Sequence, residues 1–383
     1  MNGYQDEATF GRDSGRSMYG QFTPKDDTAI PVNIKNYSEE EIVRFLNDRL
    51  WAGYQAKNYQ KMVDDIPNMH RAYEGIFKSQ NFPRWRSQLY VRFAFKAVET
   101  LRAYFQDALM GNLPYIHVDP TQAKFAAHAK NHEKLFDYEL YHTRFELRMM
   151  DVLNFALKYG TGVTKTYWRF LLGYRHDSDF TRNKFGFKEK KSSNGKKFLK
   201  WDDPWFDAID PRKIIPDPQA RYTDELRWVF EEYVDDLDQL RADKDRYGYF
   251  NLNRVYNEQQ GYRQFGPRFE YVSRDVYPRN EWNSQLDQNR KRVFLDEYWG
   301  RLDLPGNHDD PRMYVVTMAN NRHIIRLKPL PYMHGELPYQ FFNIIPREEN
   351  LFGIGCVEPI LADNYIMNAL VNMRLDAMHY YLN

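Results

Sequence analysis

Cysteine is almost missing from this sequence: Cys356 is the only one in 383 residues. A lone thiol excludes an intramolecular disulfide framework, and so sparing a use of cysteine points to a reducing compartment. Long apolar runs are missing as well. No uncharged apolar stretch reaches the roughly eighteen residues of a membrane span, and the opening "MNGYQDEATFGRDSGRS" lacks the apolar centre of a secretory signal. Neither sign of charge is in excess, since 54 Lys and Arg face 53 Asp and Glu. A net charge of +1 argues against a protein whose main task is gripping nucleic acid, because phosphate binding draws on surplus cations. It leaves room for a protein that handles nucleic acid without holding it. No fixed-period repeat is visible, which argues against solenoids and propellers. Aromatic side chains are what the sequence has in abundance: 29 Tyr, 26 Phe and 8 Trp. Tyr and Trp join an apolar body to a polar tip, which suits surfaces buried on assembly. The same rings also fill ordinary cores, and composition alone does not choose.

Residues 1–37 are rich in Gly, Ser, Asp and Lys without periodicity, and read as a mobile arm. Ser38 with Glu41 forms an S-x-x-E capping box, and Ile42, Phe45, Leu46 and Leu50 follow at helical spacing. "YVRFAFKAVETLRAYFQDALMG" predicts a second helix stopped by Gly111, "PYIHVDP" is extended, and further helices are expected over 121–140 and 143–159. After Gly160 the pattern turns to strands. "VTKTYWRFLLGY" and "KFLKWDDPWFDAID" flank the polar tip "KEKKSSNGKK", where Asn194-Gly195 suits a hairpin turn. "DPRKIIPDP" reads as a rigid loop, and "TDELRWVFEEYVDDLDQLRADKD" passes from strand to a short acidic helix. The stretch 248–290 is irregular, a long interaction loop or hairpins. "RVFLDEYWGRLDL" and "RMYVVTMANNRHIIRLKPLP" predict antiparallel strands with a turn at Asn320-Asn321. Helices, then a strand-rich body, then a long helix make an α+β chain.

The search for reaction chemistry is unproductive. "GTGVTKT" invites a phosphate-loop reading, but that motif needs Gly directly before the Lys, between a strand and a helix. Here Thr164 precedes Lys165 and the order is helix then strand, so Gly160 and Gly162 stop the one and open the other. His128 and His132 stand at i and i+4, with His142 further on, yet "HAKNH" lacks the Glu of a zinc protease helix and no third ligand is marked. Acidic pairs (Asp64-Asp65, Asp202-Asp203, Asp235-Asp236, Asp309-Asp310) fall at turns and helix ends, where carboxylates are locally favoured. Brought together they would make a metal-dependent phosphodiesterase, the enzyme alternative. Cys356 has no neighbouring base and reads as a small buried residue. "KEKKSSNGKK" is either a contact for an anionic partner or a solvated hairpin tip. No cofactor site and no enzyme emerges.

The closing stretch "GIGCVEPILADNYIMNALVNMRLDAMHYYLN" is the most informative. From Pro359 to Leu382 it predicts a helix of about 36 Å, apolar nearly all round. Asn364, Asn368, Asn372 and Asp376 recur every fourth residue through it. Such amides need partners. They belong either to one core helix whose stripe is satisfied by the chain's own loops, or to a helix set among copies of itself.

At this point the chain resembles a family, the portal (head-to-tail connector) proteins of tailed bacteriophages, particularly the short-tailed ones. The resemblance runs in order from about residue 85: "VETLRAYFQDALMGNLPYIHVDP", "ALKYGTGVTKTYWRF", the aspartate-proline loop "DPWFDAIDPRKIIPDP", "RWVFEEYVDDLDQLRAD", "LDEYWGRLD", "YVVTMANNRHIIRLKPLPYMHGELPYQFFNIIP" and "FGIGCVEPILADNYIMNALVNMRLDAM". In the last, Asn372, Arg374 and Asp376 fall in an N-x-R-x-D pattern like the family's. Each piece is degenerate; their order is specific. The resemblance implies a subunit of a ring, usually of twelve copies, set at one capsid vertex of the virion and assembled in the host cytoplasm. Its partners would be itself, the major capsid protein, the terminase, tail or adaptor proteins, and double-stranded DNA passing without sequence specificity; no membrane is implied. By analogy residues 38–355 form the wing and 356–383 begin the stem, with Asn364, Asn368, Asn372, Arg374 and Asp376 as expected subunit contacts. The family's clip, second stem helix and crown are not found in the sequence up to Asn383. Another virion assembly or adaptor protein is the nearest alternative.

Overall fold

The computed structural model describes residues 37–76, 86–175, 180–182, 188–190, 196–257, 292–304 and 312–382. The arm at 1–36, the Asn194-Gly195 turn, the Asp309-Asp310 pair and most of the irregular stretch (258–290) lie outside them. The architecture is α+β, as the sequence predicts, with helices first, antiparallel sheets next and a long helix last. The chain divides into two units. The larger holds Ile30–Tyr167 and Pro204–Asn383; the described residues of the smaller are 168–175, 180–182, 188–190 and 196–203.

In the larger unit α1 (Glu39–Gln55) starts on the expected capping box: Ser38 Oγ accepts from Glu41 N–H, and the Glu41 carboxylate accepts from Ser38 N–H. Ile42, Leu46 and Leu50 recur every fourth residue and are buried, so one face of α1 is committed to the core. α2 (Lys57–Glu74) follows, ended by Gly75 in the left-handed region. The sequence reading passes over α2, because Pro67 sits in its interior and no side chain caps its start. α3 (Phe93–Met110), α4 (Ala126–His142) and α5 (Phe145–Tyr159) match the three expected helices, except that α3 begins three residues later than its periodicity suggests and α4 begins five residues later than expected, behind a 3-10 turn at Ala123–Phe125.

The strands are β1 (Thr161–Arg175), β2 (Phe180–Arg182), β3 (Lys188–Lys190), β4 (Lys196–Ile209), β5 (Ile214–Pro216), β6 (Trp228–Asp236), β7 (Arg292–Arg301), β8 (Met313–Ala319), β9 (His323–Pro329), β10 (Tyr339–Asn343), β11 (Ile345–Arg347) and β12 (Asn350–Ile354). The short helices α6 (Leu237–Ala242), α7 (Lys244–Tyr247) and α8 (Leu252–Asn257) fall between β6 and β7, and α9 (Val357–Leu382) closes the chain. Strands β5 to β9 form one antiparallel sheet in sequence order. Part of the loop expected at "DPRKIIPDP" is thus a strand, since Ile214–Pro216 pair with Glu231–Val229. Asn320 and Asn321 make the tight turn between β8 and β9, both at positive φ, as that two-residue connection demands.

Both faces of this sheet are covered. Phe230, Tyr298, Tyr314, Val316 and Met318 face a core shared with α1 and α2, while Val229, Trp299 and Val315 face a second core with Val163, Tyr339 and Leu351. The period of two thus sends alternate residues into different cores. Between the sheet and β1 lies a buried ionic knot. Lys165 Nζ donates to Glu231 Oε2 at 2.5 Å and Glu297 Oε1 at 3.2 Å, the two glutamates standing opposite each other in the β6–β7 register.

Candidate assembly face along the closing helix

α9 is seated by two interlocked glycine motifs. Gly160 ends α5 at φ +98 and Gly162 lies in β1; Gly353 and Gly355 lead into α9. A Cβ on Gly160 would stand 2.4 Å from Gly353 O, and one on Gly355 would stand 2.7 Å from Gly160 N. The two G-x-G segments therefore pass backbone against backbone, a distance only glycine allows. Thr161 Oγ1 accepts from Gly353 N–H at 2.9 Å, and Cys356 N–H donates to Leu157 O at 2.8 Å. "GTG" is thus a seat for the closing helix, where a phosphate loop would need it to cradle a ligand. Arg347 Nη2 binds both Glu358 oxygens at 2.5 and 2.6 Å beside the first turn. Val357 is buried, with Ile360 and Leu361 packed on the same core. Cys356 is half-buried, and burial pushes its thiol up from the ordinary value.

The polar stripe of α9 meets the chain's own segment Ser87–Val91. Val91 N–H donates to Asn368 Oδ1 at 2.6 Å, and Asn368 Nδ2 returns a bond to Val91 O at 3.2 Å. One helical turn later, Leu89 N–H donates to Asn372 Oδ1 at 2.8 Å and Asn372 Nδ2 donates to Leu89 O at 2.9 Å. Ser87 N–H then donates to Asp376 Oδ1 at 2.7 Å, and at the other end Asn364 Nδ2 donates to Tyr90 Oη at 2.6 Å. Geometry explains the spacing. Four helical residues rise about 6 Å, and two extended residues span about 6.6 Å. Asparagines at i and i+4 therefore keep step with alternate residues of a strand. Each carboxamide offers one acceptor and one donor side by side, which is what a peptide group in a neighbouring strand would offer. The helix thus binds this segment as a neighbouring strand would.

Asp376 fits the end of the ladder for the same reason. A carboxylate only accepts, and Ser87 supplies donors from its side chain and its backbone, which hold the Asp376 carboxyl below the usual carboxylate range. The spare donor of each asparagine is also used: Asn368 Nδ2 donates to Asn364 O at 2.8 Å and Asn372 Nδ2 to Asn368 O at 2.9 Å. Asn364 and Asn368 are buried in this way, and burial raises the Tyr90 phenol.

Of the five residues predicted to meet neighbouring copies, four are thus engaged within one chain, and the fifth, Arg374, is exposed. Ser87, Leu89, Tyr90 and Val91 are the stripe's hydrogen-bond partners, which the sequence reading misses. It takes Tyr90 and Val91 as the start of α3. The signal that identifies them is the absence of a capping side chain before Phe93.

The rest of α9 is an open apolar surface. Ile366 is 58% exposed, Leu370 56% and Met373 59%, and the last turn ends with Tyr380 at 84%. A helix apolar on flanks that its own chain leaves bare presents a surface for association. Elsewhere, His128, His132 and His142 are exposed on α4. Among the described residues no three of His, Cys, Asp and Glu come together as a metal-binding group, and no helix is long and apolar enough to cross a membrane. Residues 177–379, more than half of the chain, match the model of the family described as phage SU10 portal protein.

Proposed function

The chain belongs to the phage SU10 portal protein family, and from that membership we propose that its copies close into a ring at a single capsid vertex. A structural role as a phage portal protein follows from the family. The finer reading is ours. Copies meet head to tail, the ring surrounds a passage for double-stranded DNA during packaging and ejection, and its outer surfaces receive the major capsid protein, the terminase and tail or adaptor proteins. The ring assembles in the host cytoplasm and stays in the virion, needing no cofactor and carrying out no reaction. Twelve copies is the number the resemblance suggests.

The observation that carries this reading is the bare apolar flank of α9. Tyr365, Ile366, Met367, Leu370, Met373 and Met378 are each roughly half exposed. Covering one such side chain contributes about 1 kcal/mol, so a neighbour on either flank draws several together. Contact between copies falls on these flanks and on Arg374. Asn364, Asn368, Asn372 and Asp376 contribute one step removed, by fixing the Ser87–Val91 segment beside the contact. Near-neutral charge suits the passage, because a strongly basic wall would hold phosphates and slow sliding.

The test is assembly of the intact gene product by native mass spectrometry and negative-stain imaging. Wild type should give closed rings. Ile366→Asp with Leu370→Asp should give folded monomers, both positions being exposed in one copy. Rings formed by the double variant as readily as by wild type, or a wild type that stays monomeric at high concentration, would overturn the proposal.

A further inference from the structure

We infer that the C-terminal half of α3 is the receiving face for α9 of the neighbouring copy. The inference rests on the ring reading above and adds the surface against which the bare flank closes. Along α3, Ala94, Val98, Leu101, Phe105 and Leu109 recur at i, i+4, i+7, i+11 and i+15, so one apolar stripe runs the length of the helix. Such a stripe is what a helix commits to a core. The chain packs away only its first part. Ala94 and Val98 are fully buried, whereas Leu101 is 37% exposed and Leu109 48%. Tyr104, beside them at 70%, and Leu113, just past the helix end, are barer still.

The flank of α9 has the same form. Ile366, Leu370, Met373, Ala377 and Tyr380 recur at i, i+4, i+7, i+11 and i+14, and all are exposed. Ile366 and Leu370 each stand two residues from an asparagine of the polar stripe on either side, about 200° round the helix. The apolar flank therefore points away from Ser87–Val91. α3 starts at Phe93, two residues past the Val91 that Asn368 holds. Within one copy the flank of α9 is thus turned away from the place where α3 begins, and the bare half of α3 is left for a second chain.

A second copy is the occupant that fits. A surface that pairs with itself closes a two-fold dimer and stops there, whereas a ring needs two different surfaces on every copy. α9 and α3 supply one each, on the same chain and so in equal number. The area agrees as well. Leu101, Tyr104, Leu109 and Leu113 on one side meet Ile366, Leu370, Met373, Tyr380 and Tyr381 on the other. At roughly 100 Å² of bare surface each they offer about 900 Å² in all. A standard interface of about 1,600 Å² is a little over half apolar, which is also about 900 Å². Two straight apolar stripes suit helix against helix, with axes about 8–10 Å apart.

The experiment is a mixing test on the full chain, read by native mass spectrometry after brief glutaraldehyde fixation. An α3 variant, Leu101→Asp with Leu109→Asp, is compared with wild type and with the α9 variant, Ile366→Asp with Leu370→Asp. Wild type should form rings, and each variant alone should be monomeric. Mixed one to one, the two variants should form pairs that grow no further. In such a pair the sound α9 of the first meets the sound α3 face of the second, and the other two surfaces are spoiled. Tyr222→Asp with Met333→Asp, exposed apolar side chains elsewhere, should keep rings. If the α3 variant loses helical signal by circular dichroism, Tyr104→Asp with Leu113→Asp, both more exposed, takes its place. Rings from the α3 variant, or a mixture that stays monomeric, overturn the inference and leave ring assembly standing, as does an equal loss of rings from the Tyr222 and Met333 variant. A wild type that forms no ring overturns the assembly reading, and the inference with it.

Discussion

Lys165 shows how much one side chain can hold. Burial lowers the affinity of its amine for a proton, but the carboxylates of Glu231 and Glu297 outweigh burial and raise it. Burial likewise pushes Glu297 up, and the cations Lys165 and Arg326 outweigh it, holding the carboxyl below its ordinary value. Trp299 Nε1 donates to Glu297 at 2.7 Å and Tyr339 Oη to Glu231 at 2.7 Å, so the oxygens are further satisfied. Lys165→Met should cost about 3–5 kcal/mol, because two buried carboxylates lose their cation. Urea denaturation at neutral pH measures the loss, and Glu297→Gln added to Lys165→Met should recover part of it. The depressed Glu297 carboxyl contributes stability above the unfolded carboxylate range that disappears as pH falls through its folded value. His70 acts in a different window. Burial first, then the Lys158 and Arg212 cations, lower its imidazole from 6.5 to about 4, and its ring lies 3.1 Å from Tyr159 Oη. Between those two values the unfolded chain takes a proton that the folded chain refuses, so stability should decline as pH falls from about 6.5 to about 4. His70→Gln should flatten the urea midpoint across that window; an unchanged decline would show that other groups set it.

Among the elements, the pairing of α9 with Ser87–Val91 is where a single substitution says most. Asn368→Leu leaves Val91 N–H and C=O without their partners and should cost about 2–3 kcal/mol. Hydrogen exchange of the Leu89 and Val91 amides, slow in wild type, should then quicken far more than exchange in the sheet. Asn368→Gln is the sharper control. It keeps the carboxamide but lengthens the arm by a methylene, so it should also free the segment if register is what matters. Gly355→Ala should be at least as damaging, since its Cβ would stand 2.7 Å from Gly160 N and 2.8 Å from Lys158 O. The i, i+4 stripe is visible in the sequence, and so is the need of its amides for partners. What they meet is not, because Ser87–Val91 lies 277 residues from its match at Asn368 and shares no local pattern with it. Strands β6 to β9 were legible because runs rich in β-branched and aromatic residues and the Asn-Asn turn are local signals. β5 was not, since its three residues hide between prolines and gain strand character only from pairing with β6. The glycine pairs were legible as breaks; that they break for each other's sake depends on a crossing of chain segments far apart in sequence.

At the scale of the molecule, the two units make separable predictions. Among the described residues the three buried cores lie in the larger unit, so stability should reside there and the β1–β4 hairpin arm of the smaller unit should be dispensable for folding. Within the arm, a Cβ on Gly173 would meet the Phe198 ring, and Trp168 Nε1 donates to Asp202, so β1 and β4 lie side by side there. Residues 173–197 can be replaced by Asn-Gly, a two-residue turn of favoured type. The shortened chain should unfold within a few degrees of wild type by circular dichroism, because none of the core residues named above is removed. It should still assemble through the flanks of α9, since none of Tyr365, Ile366, Leu370 and Met373 is touched. Rings formed by the shortened chain place assembly on α9, whereas loss of rings with the fold intact would move the contact between copies onto the hairpin.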